Sequence, residues 1–132
     1  MLLFPGEAAL YEKSSDRFAL QNTKLVSSGE SIKLLVCNGA CDRAERPLAC
    51  RLFPLFPYTD KSGAIKVKMD ARAKAVCPLF EYGVTGLSKD FVRAVRNASR
   101  LLLENNVIRK YLYDVSRSID DIDFLSILPP GY

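Results

Sequence analysis

Four cysteines in a chain of 132 residues that has no histidine narrow the folding problem more than any other feature of this sequence. A chain of this length buries an adequate core without disulfide staples, so Cys37, Cys41, Cys50 and Cys77 call for another explanation. Three of them fall within fourteen residues, around Gly39 and inside Arg46-Pro47-Leu48-Ala49-Cys50-Arg51-Leu52-Phe53-Pro54. The clustering points to one shared site, and the missing imidazoles restrict what its ligands can be.

Length fits one domain over residues 1–132, with a cysteine-bearing region at 34–80 and C-terminal helices at 88–121. The opening Met1-Leu2-Leu3-Phe4-Pro5-Gly6-Glu7 has no basic n-region and too short an apolar run for a signal peptide. No later stretch reaches the roughly eighteen apolar residues of a membrane span. The expectation is a cytoplasmic protein with no membrane partner, and in a reducing compartment clustered thiols more often hold metal or do chemistry than form stable disulfides. Formal net charge is +4, unevenly spread: residues 61–100 carry nine basic against three acidic residues, whereas residues 101–132 carry three against five. A basic middle attracts nucleic acid or an acidic partner. With no tight basic run, no aromatic RNA-binding motif and no helix-turn-helix pattern, the sequence argues against nucleic acid and for a solvated surface.

Hydrophobic patterning predicts an α+β fold. Pro5-Gly6-Glu7 reads as a short helix start ending near residues 14–16. Residues 18–37 read as a hairpin about Ser27-Ser28-Gly29-Glu30. Residues 46–53 read as a short helix with Pro47 in its first turn, limited by Pro54 and Pro57. After the turn at Lys61-Ser62-Gly63, residues 64–69 alternate apolar with basic as a half-exposed strand does, returning the chain towards Cys77. From Ser88, a plausible N-cap, the period becomes helical: Phe91, Val92, Val95, Ala98, Leu102 and Leu103 form one stripe. Val107, Ile108, Tyr111, Leu112, Val115 and Ile119 form a second, and the two are expected to make the main core. The apolar tail from Phe124 is expected to dock on the domain or on a partner. Leu2, Leu3 and Phe4, strongly apolar for a terminus, are expected to pack against the cysteine-bearing part.

A tetrahedral thiolate site draws ligands from tight loops, with sulfurs about 2.3 Å from zinc. The spacing Cys37-x3-Cys41-x8-Cys50-x26-Cys77 offers one good pair and two looser ligands. Zinc held by four thiolates and an iron–sulfur cluster both fit a histidine-free set, with Asp42 or Glu45 as substitute ligands. Such sites carry about −2 of charge, which Arg43, Arg46 and Arg51 are placed to offset; those arginines serve equally to pair with Asp42 and Glu45. Reduced thiols without metal, or disulfides in any of three pairings, remain open at this level.

Arg46-Pro47-Leu48-x-Cys50-Arg51-x-Phe53-Pro54, preceded by Cys-x3-Cys and followed by Cys77-Pro78-Leu79, resembles the bacterial CxxCxxCC family of zinc- or iron-chelating domains over about residues 34–80. The resemblance implies that Cys37, Cys41, Cys50 and Cys77 are metal ligands. It also implies a chain that begins late, because the family's namesake cluster precedes the Arg-Pro string and is absent here. Flagellin lysine N-methylases resemble the chain more distantly.

The leading expectation is a small metal-binding protein whose zinc or iron site is structural or chelating. Without histidine the usual Ser-His-Asp and Cys-His machinery is unavailable from this chain, and a closed four-cysteine site leaves no open position for activated water. Both points argue against hydrolysis. The alternatives are an iron–sulfur-dependent enzyme related to protein-lysine methylation and a basic nucleic-acid-binding module.

Overall fold

A computed structural model describes residues 1–12, 17–37, 39 and 41–126, the side chains of 122–126 excepted. The architecture is α+β: two antiparallel hairpins followed by two helices. The first hairpin joins β1 (Phe18–Ser27) to β2 (Glu30–Cys37). Its turn puts Ser28 at φ 51° and Gly29 at φ 79°. Positive φ at both central residues is the geometry whose twist matches that of the flanking strands. The register slips between Asn22 and Val26. Side chains close that gap: Thr23 Oγ1 donates to the Ile32 carbonyl at 2.6 Å and Ser31 Oγ to the Thr23 carbonyl at 2.8 Å.

The amino-terminal residues extend this hairpin on its other edge. Leu2 bridges Leu34, the Leu3 N–H donates to the Lys33 carbonyl at 2.9 Å, and the Leu35 N–H to the Met1 carbonyl at 2.8 Å. The apolar start therefore docks beside the strand that ends in Cys37. Phe4 then turns into the core, where its ring lies 4.8 Å from that of Tyr111.

A five-residue helix, α1 (Leu48–Leu52), leads into β3 (Leu55–Thr59), which pairs with β4 (Ile65–Met69). The sequence pattern gave no strand at 55–59, because Pro54 and Pro57 read only as a stop. The register resolves this. Asp60 donates to the Ala64 carbonyl and Asp70 to the Pro54 carbonyl, so the alternation of an antiparallel ladder puts Pro57, opposite Val67, at a non-hydrogen-bonded pair. Its missing N–H faces away from β4 and costs the ladder nothing. That far edge is covered by the last helix, and the Thr59 N–H on the same edge donates to Ser116 Oγ at 3.0 Å. All five residues of β3 are buried.

The helices α2 (Lys89–Leu102) and α3 (Asn106–Ser126) complete the fold. Ser88 caps α2 by accepting the Phe91 N–H. Asn105 Oδ1 accepts the N–H groups of Val107 and Ile108, so the asparagine that breaks the helical pattern also starts the second helix. Val92 and Val95 of α2 meet Tyr111, Leu112, Val115 and Ile119 of α3 over β3 and Leu52. Val107, assigned to the core by its spacing, is instead half exposed in the first turn. The apolar tail beyond residue 126 lies outside the described residues. Among the described residues no helix is long and apolar enough to cross a membrane.

Ser116→Ala is expected to cost about 2 kcal/mol, because it strands the buried Thr59 N–H without an acceptor. Ser99→Ala is the control: Ser99 is as deeply buried, yet its hydroxyl only donates to the Val95 carbonyl one turn back. Urea denaturation of both variants should show the larger loss at Ser116, and equal losses would remove the strand-edge role.

Candidate functional site

Cys37 closes β2 and is exposed, opposite Phe18 in the hairpin register. Cys41 follows Gly39, whose φ of 89° lets the loop turn, and is half-buried. Cys50 is half-buried in α1, its N–H donating to the Pro47 carbonyl at 3.0 Å. All four cysteines are free thiols.

The carboxylate of Glu7 links the amino-terminal segment to the start of α1. Its Oε2 accepts the Phe4 N–H at 2.9 Å and its Oε1 the Leu48 N–H at 2.8 Å. One side chain thus ties the amino-terminal segment, already hydrogen-bonded along β2, to the first turn of the helix that carries Cys50. Free N–H groups at a helix start are natural partners for a carboxylate. The position of Glu7 three residues into its own turn signals an ordinary dipole acid, and nothing local announces its reach to Leu48.

The electrostatics record the result. The Cys50 thiol is pushed up, first by burial and then against a lowering influence of the amino terminus; Cys37 and Cys41 in thiolate form would raise it further, and Arg46 lowers it. The Met1 amine is pushed down by burial, while Cys50 and Cys37 act in the opposite direction. Cys37 and Cys41 therefore each lie within electrostatic reach of Cys50.

Cys77 is placed differently. It follows a short 3-10 helix (Ala71–Ala75), donates its N–H to the Ala73 carbonyl at 2.8 Å and accepts from the Phe80 N–H at 3.1 Å. It is not one of the charges that act most on Cys50. Among the described residues no three cysteine, aspartate or glutamate side chains stand together in an arrangement that could hold a metal ion. The donor chemistry of Cys37, Cys41 and Cys50 suits zinc or an iron–sulfur cluster, but the single coordination shell expected of all four cysteines is not assembled.

The arginines beside the thiols also depart from simple pairing with Asp42 and Glu45. Arg51 donates from Nε to the Arg46 carbonyl at 3.1 Å and from Nη2 to the Ala44 carbonyl at 3.1 Å, which holds the loop before α1 in shape. Glu45 pairs instead with Arg17 at 3.3 Å. Tyr11 Oη donates to the Glu45 carbonyl at 2.7 Å, and its ring packs edge-on to Phe18 at 5.3 Å. Tyr11, Phe18, Glu45, Arg46 and Arg51, together with Glu7 and Leu48, border an open cleft of about 470 Å³. No protein-family model, no curated protein and no solved structure matches this chain.

Proposed function

We propose that this chain binds a thiophilic metal ion, zinc before an iron–sulfur cluster, with Cys37, Cys41 and Cys50 as the primary thiolates and Cys77 as the fourth. The observation that carries the proposal is the double hydrogen bond of Glu7, which joins the segment lying along β2 to the helix bearing Cys50. Three soft donors come from three successive parts of the chain, Cys37 at the end of β2, Cys41 after the turn at Gly39 and Cys50 in α1, and gathering them with Cys77 into one shell is the rearrangement that metal binding would drive. Metal binding in such a site is coupled to local folding, because the shell forms only when the ion supplies the attraction that gathers the thiolates. The role that follows is structural or chelating, since a site filled by four thiolates is closed.

Zinc titration of the reduced protein against a chromophoric competitor, without oxygen, tests this. The expected result is about one zinc per chain, a higher melting temperature with metal than with a chelator, and loss of most of that increment in Cys50→Ser. Iron and sulfide with visible charge-transfer absorption would identify the cluster as the occupant instead. Melting temperatures that are equal with zinc and with chelator would sink the proposal.

A further inference from the structure

The exposed face of α2 carries Lys89, Arg93, Arg96 and Arg100. Their spacing of four, three and four residues puts the four cations within about a 60° arc of the helix. They line one side of a cleft of about 580 Å³, whose other wall is Val84 and Leu87 at and just beyond the end of the 3-10 segment Phe80–Gly86. No carboxylate among the described residues lines it. Among the described residues the only ion pair these cations make is Arg93 to Asp90, at 3.7 Å with both side chains largely in solvent.

Local physics disfavours this stripe. Like charges three and four residues apart weaken a helix, and a cation at its first residue opposes the macrodipole. Beyond that pair, no described carboxylate forms an ion pair with these cations, and a broken local rule without such compensation is the kind of feature that functional surfaces carry. The apolar wall opposite the cations distinguishes the cleft from a merely solvated basic face.

We infer that this cleft docks an acidic peptide segment of a partner protein, with an apolar side chain seated between Leu87 and α2 and carboxylates spaced along the arginines. Charge complementarity selects the acids, and the cleft's volume lies in the range that takes a side chain or a short segment. Among the described residues no aromatic side chain lines the cleft to stack a nucleotide base, which favours a peptide over a single-stranded nucleic acid.

The test is fluorescence anisotropy at low ionic strength with a fluorescein-labelled peptide of about fourteen residues, glutamate-rich with leucine once per helical turn. Binding is expected to weaken at least about tenfold in Arg96→Gln/Arg100→Gln and more in Arg96→Glu/Arg100→Glu. It should change far less in Lys61→Gln/Lys66→Gln, which removes the same amount of positive charge elsewhere. Both arginine positions are exposed, and circular dichroism of each variant verifies the fold. Absence of binding by the unmodified protein would overturn the inference. So would equal affinity for a peptide with serine in place of leucine, which would mean bare charge attraction. Tighter binding of oligo-deoxythymidylate with the same arginine dependence would overturn it in favour of nucleic acid.

Discussion

Arg72→Met is expected to destabilise the fold by about 3 kcal/mol. Asp70, at the end of β4, is 4% exposed and depends on Arg72 for its hydrogen bonds. Its Oδ1 accepts both the Arg72 backbone N–H and Nε at 2.9 Å, and its Oδ2 accepts Nη2 at 2.6 Å. The guanidinium lies 5.3 Å from the Phe56 ring, so one side chain is both counter-ion and cover. Methionine keeps the cover and strands the carboxylate with a single backbone donor. A buried charge that loses its partner costs several kcal/mol; Arg72 is about a quarter exposed, so water recovers some of it. Asp70→Asn/Arg72→Met supplies the sign test in urea: the double variant should be more stable than Arg72→Met alone, because the stranded charge is gone. A loss below about 1 kcal/mol in Arg72→Met would reclassify the pair as a surface contact.

The helices were the part of the fold most readable from sequence, because the signals that start them are local. Ser88 sits at the end of an irregular segment with Phe91 three residues on, and both the cap and the apolar stripe behind it follow from that. Asn105 carries the same information for α3. The hairpin of β1 and β2 was legible for the same reason, its turn being spelled out by Ser28-Gly29. β3 was not legible: its proline penalty is real for a central strand and vanishes only because β4 pairs with the opposite edge, while Ser116 satisfies the buried Thr59 N–H on the edge that β4 leaves free. Those facts depend on residues up to 57 positions away. The candidate site divides along the same line. The cysteines announce themselves, but the link between the helix bearing Cys50 and the segment along β2 runs through Glu7 reaching Leu48 across 41 residues. The return of β4 does bring Asp70 to the Pro54 carbonyl just past α1. The 3-10 turn that follows then puts Cys77 on a separate segment.

Glu7→Ala should cost about 3 kcal/mol and, more informatively, should change the chemistry of the thiols. Each of its two hydrogen bonds joins an ionised acceptor to a partly buried backbone donor, and bonds of that kind contribute about 1.5–3 kcal/mol. Some of that is recovered because water reaches this part of the surface. The stability loss alone would not distinguish a clasp from any other buried contact. Alkylation does. In the intact protein Cys50 is shielded and its thiol is pushed up by burial, whereas Cys37 is exposed at the strand end. Iodoacetamide at neutral pH should therefore modify Cys37 first, since the thiolate is the reacting species and access controls the encounter. Without Glu7, α1 is no longer tied to the segment along β2, so Cys50 should react several-fold faster while Cys77, on its separate turn, keeps its rate. Peptide mapping by mass spectrometry resolves the sites. Glu7→Gln separates charge from connectivity: its amide oxygen can accept only one of the two N–H groups well, so its Cys50 rate should fall between those of the intact protein and the alanine variant. An unchanged ratio of Cys50 to Cys37 modification in Glu7→Ala would mean that α1 is held by the core contacts of Leu48 and Leu52, and that the carboxylate contributes stability without organising the site.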